Sequence, residues 1–127
     1  MLEFAIILPL LVILVFGIIE YGFFMAQHLE VRHAAREGVR LASVDAGNLD
    51  QLANKICDRI EVAASGAEVT LSRSGVDVGE SASVKIKKPT MTLTGLLDGV
   101  INEFVVSEVS MRLERTAYWS AGQRVCA

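Results

Sequence analysis

Several things are scarce in this chain of 127 residues. Lysine and arginine number 12 against 15 acidic residues, a net charge of −3. No basic cluster is interleaved with aromatics, so a nucleic-acid partner is excluded. The only two histidines, His28 and His33, stand five apart and fall on different faces of a helix, which argues against a shared metal. The two cysteines, Cys57 and Cys126, form neither a CxxC pair nor a Cys/His cluster. No glycine-rich loop is placed to cradle a phosphate, and no Ser/His/Asp set stands in a plausible context. The chain therefore carries no catalytic constellation and asks for no cofactor. Internal repeats and low-complexity segments are absent as well.

What is present is an apolar stretch that dominates the composition. Phe4 to Ile19 contains no polar side chain, and the YGFFMA that follows Glu20 extends the segment to Ala26. At the helical rise about 23 residues cover about 35 Å, enough for a hydrocarbon core of roughly 30 Å. A small soluble domain could not cover such a helix on all sides. A secretory signal peptide is the competing reading. Against it stand the missing basic n-region, a run longer than the usual h-region, and Glu3.

Inside the run, Pro9 removes a backbone N–H and should bend or loosen the helix. Gly17 and Gly22 leave the backbone bare for a close helix neighbour. Glu3 and Glu20 are costly if they face lipid, so each needs a partner, a polar niche or a place among headgroups. Glu3, at the front of the packing helix, is expected to meet a positive group such as the N-terminal amine of a neighbouring copy.

These residues carry a family resemblance. Glu3-Phe4-Ala5, Leu8-Pro9-Leu10, Phe16-Gly17, Glu20, Gly22 and Ala34-Ala35-Arg36-Glu37-Gly38 resemble, in order and spacing, the N-terminal signature of TadE-like pseudopilins. These are type IV pilin relatives of tight-adherence (Tad) pilus systems. The likeness is close over Met1–Ala42 and general beyond it. It implies an apolar helix that waits in the membrane and then packs with other pilin or pseudopilin subunits. It also implies dependence on the pilus assembly machinery, and a prepilin peptidase acting on the precursor. In the family that peptidase cuts after a Gly and the Glu is usually fifth; here Glu3 is third. Either residues precede Met1 or processing differs.

Orientation pulls two ways. The positive-inside rule would keep Arg32, Arg36 and Arg40 in the cytoplasm. The resemblance and the cysteines place the C-terminal domain outside the inner membrane, and at the cell surface once assembled. In an exported domain Cys57 and Cys126 favour a disulfide, while a plain buried thiol at Cys57 stays open. The arginines form either a solvated face or contacts to carboxylates of adjacent subunits.

From Gln27 the helix is predicted to continue to Val44, with Ala34, Gly38 and Ala42 as a small-residue contact ridge. Gly47 suits a left-handed C′ position, and Asn48 with Gln51 reads as the N-cap of a second helix, Leu49 to about Ala63. That helix puts Leu49, Leu52, Ala53, Ile56, Cys57 and Ile60 on one face. Strands are predicted at Glu68–Arg73, at Ala82–Lys87 with Pro89 as its stop, and at Phe104–Arg115; Thr94 to Phe104 reads as a short helix or apolar loop. Three strands would form an antiparallel sheet whose apolar face covers the second helix. The fold class is α+β and pilin-like. Residues 1–46 form the apolar helix with its extension, and 47–127 a small α+β domain.

The expected role is structural: a minor or accessory pseudopilin of a Tad or type IV-like pilus, supporting pilus biogenesis and adhesion. The alternatives are the main filament subunit of such a pilus, and a membrane-tethered binding module that never polymerises.

Overall fold

Helix α1 runs unbroken from Leu2 to Val44, with Pro9 inside it. The computed structural model describes residues 2–45, 47–59, 66–95, 99–100 and 104–126. Helix α2 spans Leu49–Arg59, and the strands are β1 Glu68–Arg73, β2 Ser81–Pro89, β3 Phe104–Arg112 and β4 Gly122–Val125. All pairings are antiparallel, in the order β3-β2-β1-β4. The α+β class holds, with four strands where three were expected. The end of the expected second helix, residues 60–63, and most of 96–103 lie outside the described residues.

Period-2 patterning builds the inner face of the sheet. Val69 and Leu71 of β1 stand opposite Ile86 and Val84 of β2, and all four are fully buried. On β3, Val105 is buried and Val109 half-buried; Val106, opposite Lys87, is exposed on the outer face, and Met111 is exposed near the end of this edge strand. What covers this face differs from expectation. The second half of α1, through Val31, Ala34, Ala35, Val39 and Ala42, packs over β2 and β3. Helix α2 touches β1 and β4 through Leu52, Ala53 and Ile56. One helix thus runs from an apolar projection into the middle of the core.

The end of α1 is held by side chains and by the tail. A helix leaves its last carbonyls without intrahelical donors. Here the Trp119 indole donates to Ala42 O at 3.2 Å, and the N–H groups of Glu114 and Arg115 donate to Ser43 O. Trp119 is completely buried, with the Arg73 guanidinium 5.5 Å from its ring centroid and donating to Ala117 O.

Gly47 does not adopt the left-handed conformation expected of it; the glycines at positive φ are Gly66, Gly79, Gly95 and Gly99. The turn is closed instead by Asp45, whose carboxylate accepts the Gly47 N–H at 2.6 Å and Lys55 Nζ at 2.5 Å. A Cβ at Gly47 would stand 2.8 Å from that carboxylate, so close approach explains the glycine. Asn48 caps α2 as predicted, accepting the Gln51 N–H at 2.9 Å.

Strand β4 brings Cys126 to α2, where it is joined to Cys57 with Cα atoms 5.5 Å apart across 69 residues of sequence. By the chain-entropy model a loop of this length contributes about 4 kcal/mol.

Three measurements check this packing. Trp119→Ala should cost about 3–5 kcal/mol in a urea melt, because it opens a cavity and strands the Ala42 carbonyl. Cys57→Ser should lower stability by roughly the 4 kcal/mol of the closed loop, and non-reducing peptide mapping of the wild type should recover the 57–126 link. Burial pushes the Asp45 carboxyl up, but the Lys55 hydrogen bond, the Gly47 N–H and the Lys55 charge together hold it below its ordinary 3.8. Its contribution is therefore complete above that value and lost as pH falls through the lowered one. Asp45→Asn should lose stability at neutral pH and show a shallower loss on acidification below about pH 4.

Candidate functional site

Along α1 the surroundings change at Glu20. From residue 3 to residue 16 every side chain is exposed, Phe4, Ile6 and Leu10 each to about 70%. This half is apolar on all sides, with a mean hydropathy of 2.6 over its best window, and satisfies the length and composition of a membrane span. Glu3 and Pro9 are exposed on it. At Gly17 and Gly22 no atom lies within 4 Å of where a Cβ would stand, so both positions face open space in the monomer.

Glu20 is the first buried residue, at 1% exposure. Its carboxylate accepts the N–H of Leu93 at 2.9 Å, and the N–H and hydroxyl of Thr94 at 3.0 and 2.8 Å. The polar niche required by the sequence is therefore supplied by the chain's own segment after β2. Two turns on, the Gln27 amide pairs with the Met91 backbone: Nε2 donates to Met91 O at 2.7 Å, and Met91 N–H donates to Oε1 at 3.0 Å. One turn further, Lys88 Nζ stands 3.5 Å from Glu30. Lys88 follows Ala82, Val84 and Ile86 in the alternation of β2, so it lands on the inner face and is buried at the end of the core. Phe23, Ala26, Gln27, Glu30, Lys88 and Met91 line an open pocket of about 390 Å³ at this shoulder.

Past the shoulder, Ala34, Gly38 and Ala42 are all buried. A Cβ added at Gly38 would stand 3.2 Å from Val84 Cγ1 and 3.3 Å from Ile56 Cγ2. In the monomer the ridge thus faces the chain's own sheet and α2. Arg32, Arg36 and Arg40 point to solvent and make no ion pair among the described residues.

Reading by residue type singled out Glu20 and the ridge but passed over Gln27, Lys88 and the segment that straps them. The inward place of Lys88 was implied by the alternation of β2. The strapping segment lies more than sixty residues from its partners, and no periodicity announces it.

Residues 1–40 match the family model of TadE-like proteins. Over this N-terminal segment the chain is similar to TadE-like proteins. Curated proteins and solved structures gave no match. The TadE-like segment takes in the bare half of α1, the Glu20 and Gln27 contacts and the ridge as far as Gly38, and stops before α2 and the sheet. TadE-like proteins belong to a Tad pilus system.

The ridge makes a specific prediction about the TadE-like segment. In Gly38→Ala the gain in helix propensity, about 1 kcal/mol, should roughly offset the tight contacts to Val84 and Ile56. Gly38→Leu should overpack the core and cost about 1–3 kcal/mol or more. Urea melts of the protein in detergent read both; equal stability of wild type and Gly38→Leu would mean the ridge faces something other than the sheet.

Proposed function

We propose that this chain is a structural subunit, a minor or accessory pseudopilin of a Tad or type IV-like pilus. It is held in the inner membrane by the first half of α1, with its α+β head outside the cytoplasm. The observation that carries the reading is the junction at Glu20. On one side lies a TadE-like helix with no covering from its own chain, and on the other a head pinned by its core and by the Cys57–Cys126 link. An apolar helix of this kind needs lipid or other helices around it. In the resembling family the two alternate: lipid before assembly and neighbouring subunits afterwards. Gly17 and Gly22, facing open space, suit the close approach of a second helix. A head with its own sheet is more than a filament of short subunits needs, which favours the accessory role over the main subunit. Helix packing is assigned to Glu3, Pro9, Gly17, Glu20, Gly22 and the face bearing Arg36, with Glu3 meeting a cationic group of the next subunit.

Glu3→Ala should leave membrane insertion intact and reduce incorporation into filaments, read by electron microscopy and immunogold labelling of sheared pili. Sparse or terminal label on wild-type pili supports the accessory role, and continuous label would make the chain the main subunit. Normal incorporation of Glu3→Ala would remove the pairing.

A further inference from the structure

From Pro89 to Leu97 the chain carries no charge, and from Thr90 to Thr94 threonine alternates with Met91 and Leu93. The polar backbone of this segment turns toward α1. Met91 exchanges two hydrogen bonds with the Gln27 amide, and the N–H groups of Leu93 and Thr94 donate to the Glu20 carboxylate. The apolar side chains stay outside, Met91 at 53% and Leu93 at 61% exposure. Next to Glu20 on α1, Tyr21 is exposed to 58%. A water-facing loop would do the opposite, burying its apolar side chains and leaving its backbone to solvent.

We propose that residues 90–95 are a second membrane contact, a strap clamped to α1 so that Met91 and Leu93 enter the lipid interface. The inference rests on reading the first half of α1 as a membrane helix. Glu20 follows directly on the uninterrupted run Phe4–Ile19, and helical side chains lean toward the N-terminus. The carboxylate and the strap therefore stand level with the end of that run. The sixteen residues Phe4–Ile19 cover about 24 Å of a core of roughly 30 Å, so this level falls within about 6 Å of the hydrocarbon boundary. There, an unpaired carboxylate and unpaired N–H groups are both costly, and here each satisfies the other. Tyr21 beside them is of the type found at membrane interfaces. Lipid is the occupant these features fit: apolar side chains outward, four backbone groups of the strap bonded to α1, and no charge for a protein partner to pair with.

The test uses the full chain, disulfide intact, in vesicles of phosphatidylcholine and phosphatidylglycerol. An environment-sensitive nitrobenzoxadiazole probe is attached at one added cysteine: Ile13→Cys on the bare helix, Leu93→Cys on the strap, or Val78→Cys on an exposed turn of the head. Lipids brominated on the acyl chains should quench the probes at 13 and 93 and spare the probe at 78. The emission at 93 should also shift to the blue. Adding Glu20→Ala should return the probe at 93 to water while the probe at 13 stays quenched; an unchanged near-ultraviolet circular dichroism signal from the buried Trp119 shows that the head is still folded. If the probe at 13 is quenched and that at 93 behaves like that at 78, the inference fails and the membrane reading stands. If 13 is not quenched, both fail. A blue-shifted probe at 93 that brominated lipid does not reach would assign the strap to a contact between copies. Quenching at 93 that survives Glu20→Ala would remove Glu20 as the clamp.

Discussion

Close seating of α1 on the sheet is the contact on which the rest of this structure depends. Ala34, Ala35, Gly38 and Ala42 present little more than backbone to β2, β3 and α2, so the helix lies near enough to fill the core with Val31 and Val39. Interiors pack at crystal-like density, and a larger side chain at position 38 has nowhere to go. Because this half of α1 is part of the core, the other half leaves the head in a fixed direction as an extension of the same rigid helix. In the proposed role the apolar helix passes from lipid to a neighbour, and there a fixed direction matters. A flexible tether would pay an ordering cost at that step that a helix already rooted in the head has paid on folding.

The transition between the two halves is made by polar groups rather than by a break in the chain. At Glu20 and Gln27, side chains of α1 take over hydrogen bonds of the segment after β2 that its own sheet cannot make. Lys88 and Glu30 close the row where β2 ends. Each group would be costly alone in a low-dielectric setting, and together they leave no buried side-chain polar atom unpartnered among the described residues. At the opposite end of α1 the same logic recurs, with Trp119, Glu114 and Arg115 donating to the last carbonyls.

Much of this was legible in the sequence, for reasons tied to period. The apolar run, the amphipathic Leu49–Arg59 and the alternation of β1 and β2 each announce one face of one element. Strand β4 could not be read that way. Gly-Gln-Arg-Val has no apolar alternation, and its place comes from pairing with β1 and from the link at Cys126. The helix assigned to the sheet was also misjudged: α2 has the clearer stripe, but α1 offers the small residues that allow close approach, and small residues do not stand out by hydropathy. At Gly47 local propensity lost to a side chain, because Asp45 with Lys55 closes the turn without a left-handed residue. For Glu20, the need for a niche followed from one carboxylate in an apolar helix. The donors, at 93 and 94, belong to tertiary structure.

If α1 is one helix divided between two environments, its two halves should lose protection separately. Hydrogen exchange of the protein in lipid nanodiscs, followed as urea is raised, measures this directly. The account predicts that amides of residues 28–44 open together with β1, β2 and β3 as one cooperative unit, while residues 4–19 remain protected by lipid. Protection of 28–44 that outlasts the sheet would show that the helix does not depend on the head, and would contradict it.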